Sequence, residues 1–144
     1  MNKSVEEKEA DLQNIPDPVK RQARKETMEK GIDAPIVMNS LRKAGEFLDQ
    51  LETNIEDSGW IAGDKFSMAD ACTLPYIQRL DHLALSEAFS EKKRPKINKW
   101  YKKVKDLDFF DKAVTSQIPS PLVEMMNTFG EEVKDKALTL MEEN

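Results

Sequence analysis

Trp60-Ile61-Ala62-Gly63-Asp64-Lys65-Phe66-Ser67-Met68-Ala69-Asp70 is a turn with apolar ends that leads directly into a helix start. Gly63-Asp64 supplies the bend, since both residue types tolerate the tight backbone of a turn. Ser67 stands at the N-cap with Asp70 three positions on, a capping-box-like pair with Asp in place of the usual Glu or Gln. The Ser67 hydroxyl is placed to accept from the Asp70 N–H. The Asp70 carboxylate is placed to reach back to the Ser67 N–H, where it also suits the positive end of the helix dipole. Phe66, just before the cap, is expected to staple onto Ala71. The helix that follows, Met68 to Leu85, is apolar nearly all round in its first half, with Met68, Ala69, Ala71, Cys72, Leu74, Tyr76, Ile77 and Leu80. A helix with no polar side belongs in the middle of a domain. Pro75 removes one backbone hydrogen bond within it, so a kink is expected between Ala71 and Pro75.

The flanking segments read as further helices. Val37, Leu41, Ala44, Leu48, Leu51 and Ile55 recur at spacings of 4, 3, 4, 3 and 4, one face of a helix opened by Asp33-Ala34-Pro35 and ending near Asp57-Ser58-Gly59. Before it, Asp17-Pro18 places an N-cap ahead of a first-turn proline, and Gly31 closes that helix after Lys30. Its stripe of Val19, Ala23 and Met28 is too thin to stand without a partner. The first 14 residues are acidic and polar, with one or two loose helical turns expected.

Toward the C-terminus, Arg94-Pro95 opens a helix that buries Ile97, Trp100 or Tyr101, Val104 and Leu107. Asp108 to Ala113 is a short helix anchored by Phe109 and Phe110. Ser120-Pro121 starts the last one, with Leu122, Met126, Phe129, Val133, Ala137 and Leu140 along one side. Gly130 lies within it and weakens it by about 1 kcal/mol relative to alanine. Strand-like alternation is nearly absent, and there is no repeat. The expected fold class is all-α: an orthogonal or up-down helical bundle of about five to seven helices around a buried central helix. Residues 1–16 form a polar segment or linker, and 17–144 the helical domain.

A third of the 144 residues are charged and about two-fifths apolar, the balance of one soluble domain with a real core. The net charge of −5 disfavours nucleic acid as a partner. Lys92, Lys93, Arg94, Lys96, Lys99, Lys102, Lys103 and Lys105 form one local basic run. It reads first as a solvated helix face and second as a weak surface for an anionic partner. No apolar run is long enough to cross a membrane, and Met1 to Glu7 contain no apolar signal region, so neither a membrane nor secretion is expected. Cys72 is the only cysteine and cannot form an internal disulfide, which fits a reducing, cytoplasmic setting.

Three signals then occur in a characteristic order: the turn and cap up to Asp70, the helix bearing Leu74-Pro75-Tyr76, and Arg94-Pro95-Lys96-Ile97-Asn98-Lys99-Trp100-Tyr101. In this the chain resembles the C-terminal all-helical domain of the glutathione S-transferase superfamily, from about Asp17 to Ala113. The resemblance implies a helical domain that packs on an N-terminal thioredoxin-like domain. In the family that domain holds glutathione and supplies a catalytic Ser, Tyr or Cys, a cis-proline and a Glu/Gln-Ser pair. None of these can be placed here. No βαβ unit precedes the helices, and Ile15-Pro16, Ala34-Pro35 and Ile118-Pro119 are not followed by an acid-Ser pair. Glutathione is thus expected as co-substrate of a parent protein and not as a ligand of this chain alone. The chain is read as a cut-out domain or as the product of a gene that encodes only this half.

The implied activity of the parent is conjugation or reduction of small apolar electrophiles with glutathione, a detoxification role. This domain would shape the acceptor pocket and pack against the missing thioredoxin-like domain. The face left open implies a homodimer or modest solubility. The alternative is a non-catalytic protein–protein assembly module of the same fold, favoured only by the basic run.

Among residues able to do chemistry, Ser67 and Asp70 are assigned as helix-capping and structural, a role the family shares. No catalytic, cofactor-binding or metal-binding residue is assigned. Cys72 is read as a core thiol, with no His or Lys one turn away to favour the thiolate. His82, the only histidine, lies next to Asp81 and is read as structural, since one histidine and no second cysteine make no zinc site. Tyr76 and Tyr101 are both placed on core faces. Met28, Met38, Met125 and Met126 are adaptable side chains suited to an apolar pocket, without a motif that assigns them.

Overall fold

The computed structural model describes residues 5–143. Every regular element among them is helical. There are seven α-helices: α1 (Val5–Gln13), α2 (Pro18–Lys30), α3 (Pro35–Asn54), α4 (Met68–His82), α5 (Pro95–Lys105), α6 (Phe110–Ala113) and α7 (Ser120–Glu142). Single 3-10 turns lie at Gly31–Asp33, Ser86–Phe89 and Thr115–Gln117. The chain forms two compact units, and the boundary, between Leu41 and Arg42, falls inside α3.

In the first unit Asp17 caps α2, its Oδ1 accepting the N–H groups of Val19 at 2.9 Å and Lys20 at 3.3 Å. Pro18 occupies the first helical turn, and Gly31, with φ +55°, ends the helix by donating its N–H to the Thr27 carbonyl. Arg21 fastens the loop ahead of α2 by donating from Nε and Nη2 to the Ile15 carbonyl. α2 buries none of its side chains, and Val19 is 76% exposed. The polar segment ahead of Pro18 forms α1. Met1 to Ser4 lie outside the described residues.

The second unit holds a core built around α5. Ile97, Trp100 and Val104 are fully buried and Tyr101 nearly so, so both aromatic candidates of the sequence point inward. Leu48, Leu51 and Ile55 of the α3 stripe meet that core. The start of α5 is capped from α3: the Glu52 carboxylate accepts the N–H groups of Lys96 and Ile97, each at 2.9 Å. Arg94, 7% exposed, donates through Nε and Nη2 to Asp49 at 2.9 and 2.7 Å, and through Nη1 to the Ala88 carbonyl. Of the basic run only Arg94 is buried, and the seven lysines are exposed. Lys103 and Lys105 also lie over the rings of Trp60 and Tyr101, at 4.0 and 4.4 Å from their centroids.

Two glycines permit helices to touch backbone. A Cβ on Gly45 of α3 would sit 1.9 Å from the Met141 carbonyl oxygen, and one on Gly130 of α7 would sit 1.9 Å from that of Leu83. Gly130, expected only to weaken α7, is thus where α7 closes on the turn after α4. That turn carries no glycine. Ala84 takes the left-handed conformation itself, with φ +58°, and Leu85 N–H reaches back to the Leu80 carbonyl at 2.9 Å. α7 buries Ala137, Leu138, Leu140 and Met141, while Leu122, Phe129 and Val133 of its expected stripe stay exposed. It begins at Ser120 with Pro119 in the capping position, one residue ahead of the expected start. Phe110 is buried and Phe109 is 41% exposed, so only one of the two expected anchors of α6 is enclosed.

Candidate functional site

α4 opens on the Ser67–Asp70 pair that the sequence singles out. Its capping box is closed: Ser67 donates to Asp70 Oδ2 from its N–H at 2.9 Å and from its hydroxyl at 2.7 Å. Asp70 does more than cap. It is fully buried, and its Oδ1 accepts the Ile61 N–H at 3.1 Å and the Trp100 indole N–H at 2.8 Å. One carboxylate thereby joins the turn, the start of α4 and the middle of α5. Burial pushes its pKa up, but the hydrogen bonds from Ser67, Ile61 and Trp100 outweigh burial and hold it below the ordinary carboxylate value. Such a group stays ionised and is fully committed to donors within the fold. Phe66 meets Trp60 and Phe109 edge-on, with ring centroids 5.8 and 5.2 Å away.

Asp70, Leu74, Ile77 and Gln78 form the buried face of α4. The opposite stripe is open. Met68 is 77% exposed, Tyr76 is 66% exposed, and Ala71, Cys72 and Pro75 are exposed as well. Two sequence-based placements are corrected by this. Cys72 is not a core thiol, and Tyr76 is not on a core face. The reason is helical spacing: positions 68, 72 and 76 are one turn apart and point away from the Leu74–Ile77 side. An apolar composition all round reports what a helix favours as neighbours, and the described residues cover only half of α4. The Tyr76 ring rests against Phe47 of α3, centroids 5.9 Å apart, which makes a low aromatic ridge along the open stripe.

His82, Tyr101 and Asp81 come together at the other end of α4. Tyr101 OH donates to Asp81 Oδ2 at 2.9 Å, and burial, then Asp81, raises the phenol far above its ordinary value. His82 is half-buried. Among the methionines, Met125 is 39% exposed, while Met28, Met38 and Met126 are half-buried. No group of His, Cys, Asp and Glu among the described residues is arranged to hold a metal ion, and no helix there is long and apolar enough to cross a membrane.

The family model of the glutathione S-transferase C-terminal domain matches residues 17–108, from the α2 cap through α5. The chain belongs to this family. Over 53 residues, 37% of the chain, it is 36% identical to a protein named glutathione S-transferase TCHQD from Arabidopsis thaliana, and the chain covers 20% of that relative's length. No solved structure matches. The matched segment contains the whole Ser67–Asp70–Trp100 network.

Proposed function

We propose that this chain is the helical half of a glutathione S-transferase. In that reading the Met68–Cys72–Tyr76 stripe is covered by a thioredoxin-like domain that supplies glutathione and the catalytic group. The parent protein conjugates or reduces small apolar electrophiles with glutathione, and this domain shapes the pocket for the electrophile. The observation that carries the reading is the open apolar stripe on α4, in a chain of this family. Large apolar patches on folded proteins mark surfaces that meet something else. Without its cover the chain self-associates, as a homodimer, through that stripe. A lone exposed thiol at Cys72 fits a reducing compartment such as the cytoplasm.

The purified chain mixed with glutathione and a chlorinated nitroaromatic gives no conjugate beyond the uncatalysed rate. Turnover by this chain alone overturns the division of labour. Sedimentation of the chain shows self-association that Tyr76→Glu reduces, and a well-behaved monomer at high concentration counts against the covered stripe. The alternative reading, an assembly module using the basic run, draws less support from the structure. Arg94 is buried, Lys93 pairs with Glu87 and Glu142, and Lys103 and Lys105 lie over aromatic rings.

A further inference from the structure

We propose that the chain carries a cleft for a small organic cation with an apolar body, a primary alkyl- or arylalkyl-ammonium, between the C-terminal end of α4, α5 and the start of α7. The cleft has a volume of about 410 Å³ and is walled by Gln78, Asp81 and His82 of α4, Tyr101 and Lys105 of α5, and Glu124 of α7, with Phe110, Ile118 and Val123 as its apolar side. Gln78 and Ile118 also line a second, mainly apolar hollow of about 360 Å³ that reaches Phe66, Leu74 and Phe109. A polar side and an apolar side in one cleft suit a molecule with a head and a body.

Gln78 gives the strongest indication of a ligand. It is 9% exposed, yet its carboxamide makes no hydrogen bond among the described residues. Every fully enclosed side-chain nitrogen and oxygen in the described structure has a partner, so the Gln78 amide is reached through the cleft that it lines. Open to the cleft, the amide is within reach of solvent, and a ligand donor or acceptor would take the place of that solvent. The charges choose the ligand. Asp81 uses Oδ2 for the Tyr101 hydroxyl, which leaves Oδ1 for a further donor, and Glu124 adds a second carboxylate. Among the residues of the wall one cation stands against these, Lys105, its ammonium over the Tyr101 ring, while Arg79, Lys102 and Lys134 lie outside the wall. Burial lowers the His82 pKa against the upward pull of Asp81, with Arg79 lowering it further, so the imidazole adds no positive charge at neutral pH. The wall is net negative, and a cation is what it complements.

The test is an NMR titration of the 144-residue chain with hexylammonium chloride, sodium hexanoate and 1-hexanol at one ionic strength. These probes share a body and differ in the charge of the head. Saturable shifts of the Gln78 side-chain amide and the His82 ring are expected with hexylammonium, with the other two binding about five-fold more weakly or worse. Glu124→Gln, at an exposed carboxylate, is expected to weaken hexylammonium by about three- to five-fold while leaving the spectrum elsewhere unchanged. Gln78→Met should weaken all three probes. Equal binding of the three, tighter binding of hexanoate, no saturable shift with hexylammonium, or indifference to Glu124→Gln each overturns the proposal.

Discussion

Replacing Asp70 with alanine removes the acceptor for four donors at once: the Ser67 N–H and hydroxyl, the Ile61 N–H and the Trp100 indole. Trp100 is fully buried, so its N–H has no water to turn to, and leaving such a donor unpaired costs about 1–3 kcal/mol. The half-buried Ile61 N–H adds a share of the same kind, and loss of the helix cap adds about 1 kcal/mol. The sum is about 4 kcal/mol, a large part of the roughly 5–15 kcal/mol that holds a domain folded. At this chain length it corresponds to a fall in Tm of about 8–16 °C.

Urea unfolding followed by far-ultraviolet circular dichroism measures the loss. Asp70→Asn keeps one oxygen for Ile61 and Trp100 but turns an NH2 toward the Ser67 N–H, so an intermediate loss of about 2 kcal/mol is expected. Ser67→Ala, which leaves Trp100 and Ile61 paired, loses about 1 kcal/mol. The pH dependence follows from the lowered carboxyl. The unfolded chain takes up the proton first as pH falls, so the Asp70 contribution is full above about pH 4 and is lost as pH drops through the lower folded-state value. Asp70→Asn flattens that part of the acid limb. A loss within about 1 kcal/mol for Asp70→Ala, or an unchanged acid limb in Asp70→Asn, refutes the reading of this carboxylate as the joint between turn, α4 and α5.

Other substitutions probe the packing. Gly130→Ala and Gly45→Ala each drive a methyl into a carbonyl and are expected to destabilise by about 2–4 kcal/mol in the same urea assay, although alanine gains about 1 kcal/mol in an open helix. Arg94→Lys is expected to lose about 2 kcal/mol, because an ammonium cannot serve Asp49 and the Ala88 carbonyl with one planar fork, and a loss below about 0.5 kcal/mol removes that clamp. Cys72 in the native chain, diluted until it sediments as a monomer, is expected to react with Ellman's reagent as fast as it does in urea. Slow native labelling means that the α4 stripe is covered.

What could be read in the sequence was whatever its own neighbours determine. The Asp17-Pro18 and Ser67–Asp70 caps are satisfied within three residues, and the α3 stripe needs only helical spacing to place Leu48, Leu51 and Ile55 together. The misplacements concern groups whose state is set from far along the chain. Cys72 and Tyr76 have apolar surroundings in sequence, but Cys72 is left exposed and Tyr76 meets only the edge of α3 at Phe47. Asp70 looked local until Trp100, thirty positions on, donated to its other oxygen. Gly130 read as a flaw because its value lies in the Leu83 backbone that it lets approach. The cleft at Gln78, Asp81 and Glu124 could not be seen at all. Its walls come from three helices, and no spacing rule links them.

Pro75 sits inside α4 without ending it, on the exposed side. Having no N–H, it denies the Ala71 carbonyl its ordinary helical donor one turn back. A surface laid over the stripe must therefore bring a hydroxyl or amide to meet one bare oxygen amid otherwise oily contacts, or trap a water there. Covering that oxygen with purely apolar surface costs on the order of one lost hydrogen bond, about 1–3 kcal/mol.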